Sequence, residues 1–298
     1  MIAFSEEYIL QLPEKHPFPI QKYKLIPEKL LEDNVIKLDN FFAPQKIDLS
    51  IVELTHSKDY INRLINLELS YQEIRKIGFP LSKELIDREL IITQGTLDCC
   101  FFAMKNDISF NIAGGTHHAY RDSGSGFCIL NDIAVATNYL LKNSYVQKVL
   151  IVDLDVHQGN GNAKIFEHNE NVFTFSMHGE KNFPLKKEVS NLDIPLPDKT
   201  SDKIYLELLK ENLPKIINDF KPDFIFYISG VDILEGDKFG RISVSKEGCQ
   251  LRDRYVFETA KKYNLPVTVV MGGGYSKDIN QIVDAHCNTY KVAKSIFQ

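Results

Sequence analysis

Cysteine is scarce, and its few copies are unpatterned. The 5 cysteines stand at 99, 100, 128, 249 and 287, an odd number with no C-x-x-C pair. That pattern argues against a disulfide framework and a cysteine-type zinc finger, and reduced thiols in a cytoplasm are the simplest account. No apolar run approaches the roughly 18 residues that a membrane helix needs. The first twelve residues carry Glu6 and Glu7 and no basic segment ahead of the apolar ones, so they do not read as a secretory signal. Positive charge is in deficit, with 35 Lys and Arg against 40 Asp and Glu for a net −5, which argues against a general grip on nucleic acid. Ser/Gly-rich linkers, low-complexity tracts and fixed-period repeats are also missing, so residues 1–298 read as one continuous domain.

The remaining composition is that of a globular protein. At 44% hydrophobic and 25% charged residues, disorder and coiled coil are excluded as the main description. The first third reads as helical and loop-rich. Tyr60, Ile61, Leu64, Ile65 and Leu67 follow Ser57, an N-cap type, at helical spacing. From residue 108 the rhythm changes. Short runs rich in Val, Ile and Phe, at 108–112, 149–156, 172–177, 224–229 and 267–271, have the pattern of strands buried on both faces of a parallel sheet. Between them, 131–141, 201–220 and 245–263 read as helices, with a kink expected at Pro214. Alternating strand and helix implies an α/β sheet built from right-handed crossovers.

Polar residues gather just after these strands, at the edge where open parallel sheets bind ligands. The first run leads into Gly114-Gly115-Thr116-His117-His118, and the second ends in Asp153-Leu154-Asp155-Val156-His157. His178 follows the third, Gly230-Val231-Asp232 the fourth, and Gly272-Gly273-Gly274-Tyr275 the fifth. If the second strand runs through to 156, Asp153, Asp155 and His157 share one face of it. Buried carboxylates without compensation are costly, and a cation removes that cost. Asp155 and His157, with Asp232 from a neighbouring strand, offer oxygen and nitrogen ligands suited to zinc or a similar divalent ion and leave a position open for substrate. The alternatives for this cluster are a satisfied buried polar network or a phosphate-binding loop, although no G-x-G-x-x-G or G-K-[ST] accompanies the glycines. Two adjacent histidines with different partners can hold different protonation states, which suits hydrolysis. Tyr275 can donate to a developing oxyanion. Phe127, with Phe183 opposite, can line an apolar channel; each can equally be a core aromatic. Cys128 reads as a small buried residue, and His16, His56, His168 and His286 as structural or surface residues.

G-G-T-H-H-A, G-F-C-I-L-N-D, V-D-L-D-V-H-Q-G-N-G, G-V-D-I-L-E-G-D and G-G-G-Y occur in that order. Jointly they resemble the zinc-dependent histone deacetylase family over about residues 12–290, and look most similar to its class IV members and their bacterial relatives. The resemblance implies a single-domain arginase/deacetylase-like α/β fold with a mainly parallel sheet flanked by helices. It implies zinc, or ferrous iron, on Asp155, His157 and Asp232, and catalytic His117, His118 and Tyr275. Asp153 matches the carboxylate behind His117. Asn160 matches the partner of His118, where some family members have Asp; an amide leaves His118 less basic than a carboxylate would. Gly126, Phe127, Phe183, Gly273 and Gly274 match a substrate tunnel. Asp153, Asp155, His157, Ser176 and Met177 match a structural K⁺ or Na⁺ site, and Phe166, Asn169, Val172 and Tyr205 a second. The implied substrate is an acyl-lysine protein or peptide. A small acylated amine such as an acetylpolyamine is the nearest alternative, and a non-catalytic acyl-lysine reader a more distant one. The acidic residue with which many relatives grip the substrate backbone has no counterpart in the sequence. A binuclear ureohydrolase would want a further carboxylate two residues after His157, where Gly159 stands.

Overall fold

In the computed structural model, which describes residues 1–297, all five apolar runs are strands, joined by three more. In chain order they are β1 (Ile2–Ala3), β2 (Phe41–Phe42), β3 (Ile108–Asn111), β4 (Val149–Asp153), β5 (Val172–Gly179), β6 (Leu192–Leu196), β7 (Phe224–Ile228) and β8 (Val267–Val270). They form one sheet in the order β2-β1-β3-β8-β7-β4-β5-β6, and every pairing is parallel. Every residue of β4, β7 and β8 is buried, as two covered faces require. The chain leaves β4 toward β5 on one side and returns to it through β7 on the other. Such a reversal of strand order opens a crevice at the carboxyl ends.

The helices begin where the sequence placed them. Asn131 Oδ1 accepts the N–H of Ala134 and caps Asp132–Lys142, Ser245 caps Lys246–Lys262, and Ser201 precedes Asp202–Phe220. The last of these runs unbroken through Pro214. Proline leaves the carbonyl four residues earlier without its helical donor, and the Tyr255 hydroxyl reaches that Lys210 carbonyl at 3.3 Å instead. Ser57 caps Lys58–Ile65, but this helix stops short of Leu67, which has φ +60° and an exposed side chain. The long Lys83–Asn106 helix packs on β3, β8 and the Asp132–Lys142 helix. The Lys246–Lys262 and Ile279–Phe297 helices pack on each other.

One boundary differs in a way that matters for the site. β4 ends at Asp153, not at 156, so Asp153, Asp155 and His157 do not alternate along a strand. Asp153 ends the strand and the other two lie in the turn beyond it, where each carboxylate accepts the N–H two residues on: Asp155 N to Asp153 Oδ1 at 3.2 Å, and His157 N to Asp155 Oδ1 at 2.9 Å. The Asx-type bonds compete with the strand ladder and turn the chain out of the sheet.

Candidate active site

The turn after β4 meets the loop after β7 at the three residues predicted to hold a metal. Asp155, His157 and Asp232 are buried, and one ligand atom from each falls within 4.8 Å of the others. His157 Nδ1 stands 3.0 Å from Asp155 Oδ1 and 3.1 Å from Asp232 Oδ2. The outer oxygens are oriented from behind. Gly273 N–H donates to Asp155 Oδ2 at 2.7 Å and Val156 N–H to Asp232 Oδ1 at 3.0 Å. Asp232 Oδ2 has no donor and no solvent. Burial first, and then repulsion from Asp155, pushes the Asp232 carboxyl up to about 7. An orphaned buried oxygen between a second carboxylate and an imidazole fits a divalent cation, which restores the missing charge and accepts this mixed O/N set. Gly273 is required here, because a Cβ on it would overlap Asp232 Oδ2.

The paired histidines sit on the loop after β3. That loop is tied down by Asp132, whose carboxylate accepts the N–H of Gly115 at 3.1 Å, the N–H of Thr116 at 2.8 Å and the Thr116 hydroxyl at 2.5 Å. His117 Nδ1 is 2.7 Å from Asp153 Oδ2. Burial lowers its pKa, but the Asp153 carboxylate, with Asp155 behind it, outweighs burial and raises it to about 9. His118 Nδ1 lies 2.5 Å from the Asn160 Oδ1. Burial, with the neighbouring His117 and His157, drives its pKa well below 6.5, opposed only weakly by the amide. The two rings stand 4.1 Å apart between centroids, and their surroundings push their pKa values in opposite directions.

Tyr275 completes the group. Its backbone N–H donates to Asp237 Oδ2 at 2.6 Å, and its ring lies 6.2 Å from that of His157. Burial, and then Asp232, raises the phenol pKa well above 10, so it remains an O–H donor. The channel leading outward runs between Phe127 and Phe183. The His118 ring meets Phe183 edge-on at 4.9 Å, and Phe127 lies 6.0 Å from Tyr275. Gly126 and Phe127 adopt φ +54° and +65°. Their N–H groups hold this bend by donating to the Lys76 and Ile77 carbonyls at the end of the Tyr71–Ile77 helix. Gly274 stands behind the site against Val231 and Ile282.

The proposed monovalent-cation residues are brought together in part. Asp153 is in register with Ser176 on β5, beside Met177, and the Asp153–Asp155–His157 turn adjoins them. Phe166, Asn169 and Val172 form two successive turns, with Asn169 N–H on the Phe166 carbonyl and Val172 N–H on the Asn169 carbonyl. Tyr205, on the Asp202–Phe220 helix, directs its hydroxyl to the Leu154 carbonyl at 3.4 Å.

Several residues of the site carry no sequence signal of their own. Lys22 looks like one more solvated helix lysine, yet it is fully buried and donates to the Gly272 carbonyl at 3.1 Å. Burial lowers its pKa to about 8, against the pull of Asp232 and Asp155. Arg252 is also fully buried. It donates to the Gly230 carbonyl at 2.6 Å and the Leu154 and Ser229 carbonyls at 3.3 Å, bracing the turns after β4 and β7. Phe18 packs on Phe127 at 5.3 Å and Phe239 on Tyr275 at 5.0 Å. His16, read as structural or surface, stacks on Phe79 behind Phe127.

Comparison with known proteins places this arrangement. The Histone deacetylase domain matches residues 16–290. An uncharacterized protein of a Picosynechococcus strain is 40% identical, covering 99% of both chains. Histone deacetylase 2 of Arabidopsis thaliana is 27% identical, over 95% of this chain and 76% of its own. The crystal structure of the HDA15 HD domain superposes with a TM-score of 0.82 at 20% identity, covering 99% of this chain and 87% of that one.

Proposed function

The chain belongs to the histone deacetylase family of hydrolases, and from that premise we propose that it hydrolyses the amide of an N-ε-acyl-lysine with the help of one divalent metal ion. The observation that carries this reading is a pair of adjacent buried histidines with different partners, Asp153 for His117 and Asn160 for His118, beside a buried Asp–His–Asp cluster. Zinc, or ferrous iron, is the ion we assign to Asp155, His157 and Asp232; when bound it supplies Lewis acidity and lowers the pKa of water. The chain's own residues do the rest. Neutral His118 takes a proton from the attacking water and returns it to the departing amine. His117, a cation held by Asp153, and the Tyr275 hydroxyl stabilise the negative charge that develops on the carbonyl oxygen. One water is consumed, the C–N bond breaks, and a carboxylate and a free amine are released. Asp153, Asp155, His157, Ser176 and Met177 are the favoured place for a structural K⁺ or Na⁺.

The outer mouth of the channel favours a lysine side chain over a polyamine. Lys181 and Arg241 line it with Phe183 and Phe239, and both share the single carboxylate of Asp198 at 3.6 Å. A rim with surplus positive charge repels a polycation. The test is hydrolysis of lysine peptides carrying acetyl to myristoyl groups, beside acetylpolyamines, with metal-quantified protein and a Tyr275→Phe control. Tyr275-dependent release of free lysine supports the proposal. Turnover of polyamines alone would reassign the substrate, and binding without turnover would make the protein an acyl-lysine reader.

A further inference from the structure

An amide is a poor choice to orient a catalytic histidine, because it is almost symmetric in shape and opposite in polarity at its two ends. With Oδ1 toward His118, Asn160 requires a proton on Nδ1 and leaves Nε2 free to accept one. Turned over, its Nδ2 donates to Nδ1, the proton moves to Nε2, and His118 is no longer a base. Something must fix the amide, and the structure shows what does. Asn160 Nδ2 donates to the Tyr120 hydroxyl oxygen at 2.6 Å. The Tyr120 hydroxyl donates in turn to Glu188 Oε1 at 3.3 Å. Glu188 is held by its own N–H on Gln158 Oε1 at 2.9 Å and by its carbonyl, which accepts from Gln158 Nε2 at 2.8 Å. A carboxylate only accepts, so the phenol hydrogen points to Glu188 and the phenol lone pair faces Asn160. The polarity of the chain is therefore set from its outer end. Lys76, with Nζ 5.2 Å over the Tyr120 ring, packs its outer face.

We propose that Tyr120 is a positioning residue that, with Glu188, locks the Asn160 amide and thereby the Nδ1–H tautomer of His118. The inference rests on the reading of His118 as the base. It explains why the hydroxyl of a half-buried tyrosine, two residues beyond the tandem histidines, is aimed inward at a buried amide. A carboxylate at position 160 would need no such lock, since both of its oxygens accept.

That difference makes the proposal testable by a cycle of Tyr120→Phe, Asn160→Asp and the double variant. The lock is about one hydrogen bond in strength, so Tyr120→Phe is expected to lower kcat about five- to tenfold with KM within about twofold. In the Asn160→Asp background the same substitution is expected to change kcat less than about twofold. Equal losses in the two backgrounds would overturn the proposal, since a merely structural tyrosine is missed by either partner. The second readout needs no turnover: ¹⁵N-histidine NMR of the metal-loaded protein. His118 is expected as the Nδ1–H tautomer in the wild type and as a mixture containing Nε2–H in Tyr120→Phe. An unchanged tautomer in a folded Tyr120→Phe protein would also overturn it. If the wild type hydrolyses no acyl-lysine peptide, the functional reading fails, while the tautomer measurement still decides the role of Tyr120.

Discussion

Acid should destabilise this protein through a histidine outside the catalytic group. His56 is fully buried. Its Nε2 accepts the N–H of Asn131 at 2.9 Å, and its Nδ1 faces the Arg121 carbonyl at 3.3 Å. Only a neutral ring with its proton on Nδ1 satisfies both partners; a second proton would oppose the Asn131 N–H. Burial lowers the pKa from 6.5 to about 4, and the Arg121 carbonyl opposes this only in part. Between those values the unfolded chain carries the proton and the folded chain does not, so stability is full above pH ~6.5 and falls as the pH is lowered toward ~4. The whole window is worth about 3 kcal/mol, of which about 2 kcal/mol is lost by pH ~5. Urea unfolding of the wild type and of His56→Gln, each at pH ~7.5 and pH ~5, measures it. His118, His178 and His286, whose pKa values are also lowered chiefly by burial, remain in both proteins and cancel. The wild type should lose about 2 kcal/mol more than the variant on acidification. Parallel losses would show that His56 is not held neutral, and the burial argument would fall.

Tyr275→Phe keeps the ring packed against Phe18, Phe127 and Phe239 and removes one oxyanion donor, so kcat should drop about 10²–10³-fold at unchanged metal content; full turnover would remove Tyr275 from the reaction. Asp232→Asn should abolish stoichiometric metal by elemental analysis, and one retained equivalent would relocate the site. Zinc at about 100 times its Kd should stabilise the wild type by about 2.7 kcal/mol in thermal or denaturant melts, whereas Asp232→Asn should show no such gain. Gly126→Ala would put a Cβ 2.8 Å from His118 Cδ2 and 3.1 Å from Phe183. It should lower kcat/KM about tenfold to a hundredfold by displacing the base, and an unchanged value would take Gly126 out of the channel wall.

How much of this was legible in the sequence depends on how local each signal is. Strands β3, β4, β5, β7 and β8 were readable because they lie inside the sheet and consist mostly of apolar residues. β1 and β2 were not, because two residues carry no period, and β6 was not, because its edge position tolerates Asp193 and Pro195. The runs that carry the paired histidines and the Asp155–His157–Asp232 cluster stood out because each lies at a strand end. The error at 154–156 arose because an alternating D-x-D-x-H pattern also fits a turn in which carboxylates bond their own backbone. Lys22, Arg252 and Tyr120 left no mark because their roles are defined by partners more than 20 residues away: Gly272, Gly230 and Asn160. A buried charge or an inward hydroxyl looks in a sequence like its solvated counterpart.

The placement of β8 bears on how the molecule comes into being. This strand lies between β3 and β7, and it is the last of the eight in chain order. Until it emerges, the nascent chain can build only two separate half-sheets, β2-β1-β3 and β7-β4-β5-β6, each with an uncapped edge of free amides and carbonyls. Inserting β8 closes both edges at once and delivers Gly273 and Tyr275 to residues made more than a hundred positions earlier. Catalytic competence and protection from edge-to-edge aggregation therefore arrive in the same late event of synthesis.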